Sequence, residues 1–194
     1  MGGLAWTSND IFLRVRPHVV RENRFLDIYE PQTQEWIEFS PQRLPPRSKL
    51  LMFRLNPRDR EPEALISWSD RANVDHVGSI TRGATSTEVL DSGPFEHIHL
   101  SPERTQLFGV TESSGRFHRL KGEPYSPRVS FWLDRFEKMS GVEKFYLQDN
   151  ARYAFIKVND PIRGTDIAIW GRKGDEVEPI GTICSERIDP ATDK

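Results

Sequence analysis

A single cysteine, Cys184, stands in 194 residues, so no disulfide can form within the chain. That excludes a disulfide-stapled scaffold and suits a reducing compartment. Long apolar runs are equally scarce. Stretches such as Leu50-Leu51-Met52-Phe53 end at a charge, far short of the roughly 20 residues that a membrane-spanning helix needs. The opening MGGLAWTSND lacks the basic-then-apolar order of a secretory leader, and Trp6 stands where a myristoylation motif wants Ser or Thr. The expectation is a chain without a membrane span, cytoplasmic or otherwise intracellular. Net charge is only −2, which gives no whole-chain attraction to nucleic acid or anionic membrane. The sequence also contains no Gly-rich phosphate loop, no paired-aspartate metal motif and no Gly-x-Ser-x-Gly elbow. The proline-rich stretch 41–47 is too short for a domain linker, so residues 1–194 are expected to form a single β-rich domain with short flexible termini, including a frayed tail over 189–194.

Large apolar groups are plentiful, with 11 Phe, 5 Trp and 4 Tyr in a chain that is 36% hydrophobic. That is enough to outweigh ordering entropy. Short β-type runs dominate, at residues 24–29, 35–39, 50–55, 64–68, 76–81, 87–90, 97–100, 106–111, 116–120, 143–148, 151–158, 165–170 and 177–183. Turn chemistry separates them, as in Glu30-Pro31-Gln32-Thr33, Asn56-Pro57-Arg58-Asp59 and Ser113-Ser114-Gly115. One segment breaks the pattern. Ser126 as N-cap, Pro127 at the first helical position, and Val129, Trp132, Leu133, Phe136 and Met139 at three-to-four spacing predict a helix over 127–139, with Gly141 to close it. The fold class expected is mainly β, an antiparallel sandwich or barrel with one amphipathic helix.

The most chemical-looking stretch is GPFEHIHLSPERTQLFGVTESSGRFHRLKG. On a strand, His97 and His99 point to one face, a spacing that lets two imidazoles share a divalent metal. With Glu103 four positions on and Gly115-Arg116-Phe117-His118 later, the stretch resembles the cupin family. That resemblance implies a metal-dependent enzyme or small-ligand binder using His97, His99, Glu103 and His118. Ser101-Pro102-Glu103 equally reads as the opening of a helical turn. The aromatic pair Tyr29 and Trp36, flanking a turn and followed by Leu44-Pro45 and Arg47, resembles part of a kelch propeller blade; the resemblance implies a hairpin whose aromatics pack on neighbouring blades of a four-bladed propeller, and the alternative is an isolated aromatic hairpin.

Arginine outnumbers lysine 20 to 7. Arg43, Arg47, Arg54, Arg58 and Arg60, with Trp68, form a candidate binding set, since basic groups with aromatics can track a single-stranded nucleic acid. Cys184 has no histidine close in sequence to activate it, and a lone cysteine at a strand end reads as a small buried hydrophobe. No catalytic residue is assigned, and the chain leans away from enzyme chemistry. The leading expectation is a non-enzymatic module for protein binding or assembly, self-association included, acting through strand edges and aromatic or arginine-rich loops.

Overall fold

The computed structural model describes residues 4–6, 12–17, 24–101, 105–120, 123–148, 151–160, 164–174 and 176–184. Among them the chain is mainly β, arranged as antiparallel sheets of consecutive strands. The first sheet is β1 (Leu4–Trp6), β2 (Phe12–Pro17), β3 (Arg24–Glu30) and β4 (Glu35–Ser40); the second is β5 (Lys49–Leu55), β6 (Pro62–Ser69), β7 (Asp75–Thr81) and β8 (Glu88–Gly93). A three-stranded sheet holds β9 (Phe95–Leu100), β10 (Leu107–Glu112) and β11 (Phe117–Arg119). After helix α1 (Pro127–Phe136) comes the last sheet, of β12 (Val142–Leu147), β13 (Tyr153–Asp160), β14 (Gly164–Lys173) and β15 (Glu176–Cys184). β3 to β15 fall on the expected runs; β1 and β2 had drawn no expectation, being a three-residue strand and a strand that ends on proline. The tail 189–194 lies outside the described residues. No helix among the described residues is long and apolar enough to cross a membrane.

The chain divides into two compact units, the first built on β1 to β8 with Leu107 and Glu123 joining it, the second on β9 to β15 and α1. It passes between them several times instead of through one linker. Within the first unit, the two four-stranded sheets pack in sandwich fashion. Leu26 and Ile28 of β3 and Phe39 of β4 share one core with Phe53, Ala64, Ile66 and Ile80 of β5 to β7. Full burial of side chains such as Phe39 and Ile66 stabilises by about 1.5–3 kcal/mol each. The Tyr29–Trp36 hairpin forms as expected: the two residues pair across β3 and β4, ring centroids 5.6 Å apart.

A buried ion network ties the same unit together. Arg54 donates through Nε to Glu63 at 2.6 Å and grips Glu123 with both terminal nitrogens, while Asn56 donates to the second Glu63 oxygen at 2.9 Å. These three charged side chains are at most 8% exposed.

In the second unit, α1 begins as its cap predicts, with Ser126 Oγ accepting from the Val129 N–H at 3.3 Å. It ends at Phe136, three residues before the expected 139, because Lys138 and Met139 donate to carbonyls only three residues back and tighten the last turn. Its buried face, Trp132, Leu133 and Phe136, packs with Phe108, Phe117, Ala154 and Ile156. Phe145 sits among these rings, 4.3 Å from Phe136 and 5.1 Å from Phe117 between centroids.

Candidate functional site

His97 and His99 do lie near each other on β9, ring centroids 6.4 Å apart and edge to face. Their surroundings differ. His99 is buried, stacks on Phe145 at 4.4 Å, and engages Thr111 Oγ1 through Nε2 at 2.7 Å. His97 turns Nε2 toward Glu143 at 3.6 Å, and Lys157 donates to that same Glu143 oxygen at 2.7 Å. The Lys157 bond holds the Glu143 carboxyl below its usual range. His118, on β11, has Nδ1 3.8 Å from Glu112. Glu103 lies outside the described residues, as does the Cys184 side chain. Among the described residues no group of three His, Cys, Asp or Glu side chains is placed to hold a metal ion.

Burial, and after it the charges of His97 and Lys144, pull the His99 pKa from 6.5 to about 3. The folded protein therefore needs the neutral ring, whereas the unfolded chain takes up a proton below pH 6.5. This contribution to stability is complete above that pH and is lost progressively as pH falls toward 3. Between pH 6.5 and 5 the expected loss is about 2 kcal/mol. His99→Phe keeps the ring stack and leaves Thr111 unpaired, so it lowers stability at pH 7 but flattens the slope. Urea midpoints for both proteins across that range check this; parallel slopes would assign the acid sensitivity elsewhere.

The candidate arginines separate into groups. Arg54 is spent on Glu63 and Glu123, leaving no free charge for a phosphate. Arg58 and Arg60 sit on the β5–β6 turn, at the far end of that hairpin from Trp68, roughly 20 Å along β6 at about 3.3 Å per residue. Arg43 and Arg47 are exposed on the loop between β4 and β5. Only Arg47 and Trp68 are brought to one place. They line a groove of about 970 Å³ in the first unit, with Arg24, Pro45, Pro46, Ser69, Asp70, Arg71 and Asn73.

Two rigid loops build this groove. Pro45 and Pro46 restrict one, and the Ser48 N–H closes it on the Pro45 carbonyl at 3.2 Å, with Arg47 held at φ 58°. Arg24 fastens the same loop by donating to the Ser48 carbonyl and hydroxyl at 2.8 and 3.1 Å. In the other loop Asp70 Oδ1 accepts from the Ala72 and Val74 N–H groups at 2.8 and 2.9 Å, while Oδ2 meets His76 Nε2 at 3.2 Å. The Val74 bond, then the His76 bond, keeps the Asp70 carboxyl below its usual pKa. Arg71 rides exposed on this loop. The half-buried Trp68 stacks on His76, centroids 5.0 Å apart, and its ring passes over Gly78. Any side chain at Gly78 meets the Glu88 carbonyl oxygen at 2.6 Å and the ring at 2.9 Å. Gly78→Ala is accordingly expected to displace Trp68 and quench or shift its fluorescence, which an emission spectrum checks.

Arg24, Asp70, Arg71 and Asn73 had drawn no functional expectation from the sequence. The signal for the last three was turn chemistry, Asp70-Arg71-Ala72-Asn73 between two strands, which specifies a hairpin loop but not a groove; Arg24 opens β3 and carried no such signal. The arrangement pairs an apolar wall of Trp68, Pro45 and Pro46 with guanidiniums on pre-set loops, suited to an apolar segment flanked by carboxylates. No protein-family model, curated protein or solved structure matches this chain, and its own geometry carries the functional argument.

Proposed function

We propose that the chain is a non-enzymatic binding module whose Trp68 groove takes an extended segment of a protein partner, one with an apolar or proline residue beside acidic side chains. The observation that carries this is the convergence of Trp68 with Arg47 and Arg71 on two loops locked by their own hydrogen bonds. Tryptophan and arginine dominate binding energy at protein interfaces, and loops ordered in advance spare the entropy of ordering them on binding. A volume near 970 Å³ is in the range of specific clefts. Peptide is favoured over nucleic acid because Arg54 is withdrawn from any basic track.

Selection of displayed random peptides on the immobilised full chain tests it. Peptides carrying Asp or Glu beside Pro or an aromatic residue are expected to be enriched. Their affinity should drop by about 30-fold in Trp68→Ala, the weight of a 2 kcal/mol anchor, and by a smaller factor in Arg71→Ala. Peptides that bind both variants as well as wild type would overturn the assignment. So would a single-stranded oligonucleotide that competes at the groove with affinity falling steeply in salt.

A further inference from the structure

A row of side chains crosses the second sheet from the Trp68 groove to the edge strand. Trp68 on β6 pairs with His76 on β7, and His76 with Ser92 on β8, so the three stand side by side on one face. They touch as well as align. The His76 ring stacks on the indole, 20° from parallel, and its Nδ1 lies 2.7 Å from Ser92 Oγ. Its other nitrogen leaves the row for the β6–β7 loop and meets Asp70. His76 is not on the groove's lining, but two of these three partners, Trp68 and Asp70, are.

These partners fix how the ring carries its protons. The Asp70 carboxylate, with its pKa held below the usual range by the Val74 N–H and then by His76, can only accept. Nε2 therefore holds a proton, and in the neutral ring Nδ1 accepts from the Ser92 hydroxyl. A second proton, on Nδ1, makes the ring a cation without breaking either contact, because the hydroxyl turns from donor to acceptor. That charge lies against the face of Trp68 and beside Asp70. Among the described residues Asp70 is the charged group bonded to the ring, with Ser92 and Trp68 its neutral neighbours from β8 and β6. Strand alternation turns Asp75 and Asp91, each one residue away along its strand, to the other face. The groove's cations are Arg71, on the same loop as Asp70, and Arg24 and Arg47 from the other side of the lining.

We propose that His76 is a positioning residue through which the groove senses pH: proton uptake by its ring sets a cation against Trp68, tightens the Asp70 hold on the loop that carries Arg71, and strengthens the binding of a carboxylate-bearing segment. This rests on the reading of the groove as a site for an apolar segment beside acidic side chains. Histidine is the side chain that ordinarily changes charge between about pH 5 and pH 8, where the carboxylates of a partner stay largely ionised. The response therefore comes from the chain and not from its ligand.

Two measurements on the full chain, from about pH 8 to about pH 5.5, test the proposal. One is the Trp68 part of the emission without ligand, taken as the difference from Trp68→Phe. The other is the affinity for a capped synthetic peptide carrying Glu-Pro-Glu, at both ends of the range. Wild type is expected to change its Trp68 emission and to bind the peptide about two- to fivefold tighter at the acid end, the weight of an exposed ion pair. His76→Gln, which takes no charge, should flatten both responses; the remaining histidines are common to the two proteins. An emission change that persists in His76→Gln overturns the coupling, as does a wild-type affinity equal at both ends. A peptide that binds at neither end overturns the groove reading and the affinity change with it, while the emission titration still decides the coupling to Trp68. Should His76→Gln fail to fold by circular dichroism, His76→Phe, which keeps the stack without the charge, carries the same expectation.

Discussion

Arg54→Ala is expected to cost about 3–5 kcal/mol of folding stability, the usual penalty for removing one partner from a buried ion pair. The size follows from what is left behind. Glu63 is 2% exposed and Glu123 8%, and both face the guanidinium; without it, two carboxylates stay in one poorly hydrated place, where among the described residues Asn56 alone still donates to Glu63. The guanidinium is itself pulled down in pKa by burial and held above its ordinary value by Glu123 and Glu63, so it remains charged at every working pH. Arg54→Lys keeps the charge and loses the fork that grips Glu123 with two nitrogens, and should fall between wild type and alanine. Chemical denaturation of the three proteins at neutral pH decides. A lysine variant as stable as wild type would show that charge alone suffices, and an unchanged alanine variant would show that water reaches the carboxylates.

Gly109→Ala is the second large effect. Gly109 pairs with Arg119 across β10 and β11 at φ 155°, and an added Cβ would meet the Arg119 Cα and the Phe117 ring at 2.8 Å, with the His118 carbonyl oxygen nearer still. Two of these obstacles are backbone and cannot swing aside. Overpacking and backbone strain each cost on the order of 1–3 kcal/mol, so a total of about 3 kcal/mol or more is expected. Relief by sliding the ladder is blocked because Phe108 and Val110, the flanking residues, are both buried. Gly83→Ala is the matched control. At φ 76° with nothing within 4 Å of the new methyl group, it should cost only the left-handed backbone penalty of about 1–2 kcal/mol. Thermal melting of both variants separates clash from strain. Equal losses would mean that the β10–β11 pair yields more easily than its backbone contacts suggest.

Much of the secondary structure was legible because its causes are local. Turn residues between apolar runs place β3 to β15, and Ser126-Pro127 with apolar spacing places α1, since caps and alternation act within a few residues. The site was far less legible. Arg54 looks like one more basic residue of an arginine-rich loop until Glu123, 69 residues away in sequence, takes its charge. His97 and His99 share a face as alternation requires. Yet Phe145 and Thr111, from other strands, decide that His99 is a buried neutral ring, and Glu143 with Lys157 decides what His97 faces. Nothing in the order Arg47, Trp68, Arg71 marks a groove.

By itself the sequence determined the mainly antiparallel β class, the single amphipathic helix and the positions of most turns, because hydrophobic period, caps and turn residues are short-range properties. The tertiary structure alone decided which charges are buried and paired. It withdrew Arg54, neutralised His99 and set Trp68 between two locked loops. Burial, charge pairing and convergence depend on what lies across space, and no local pattern encodes them.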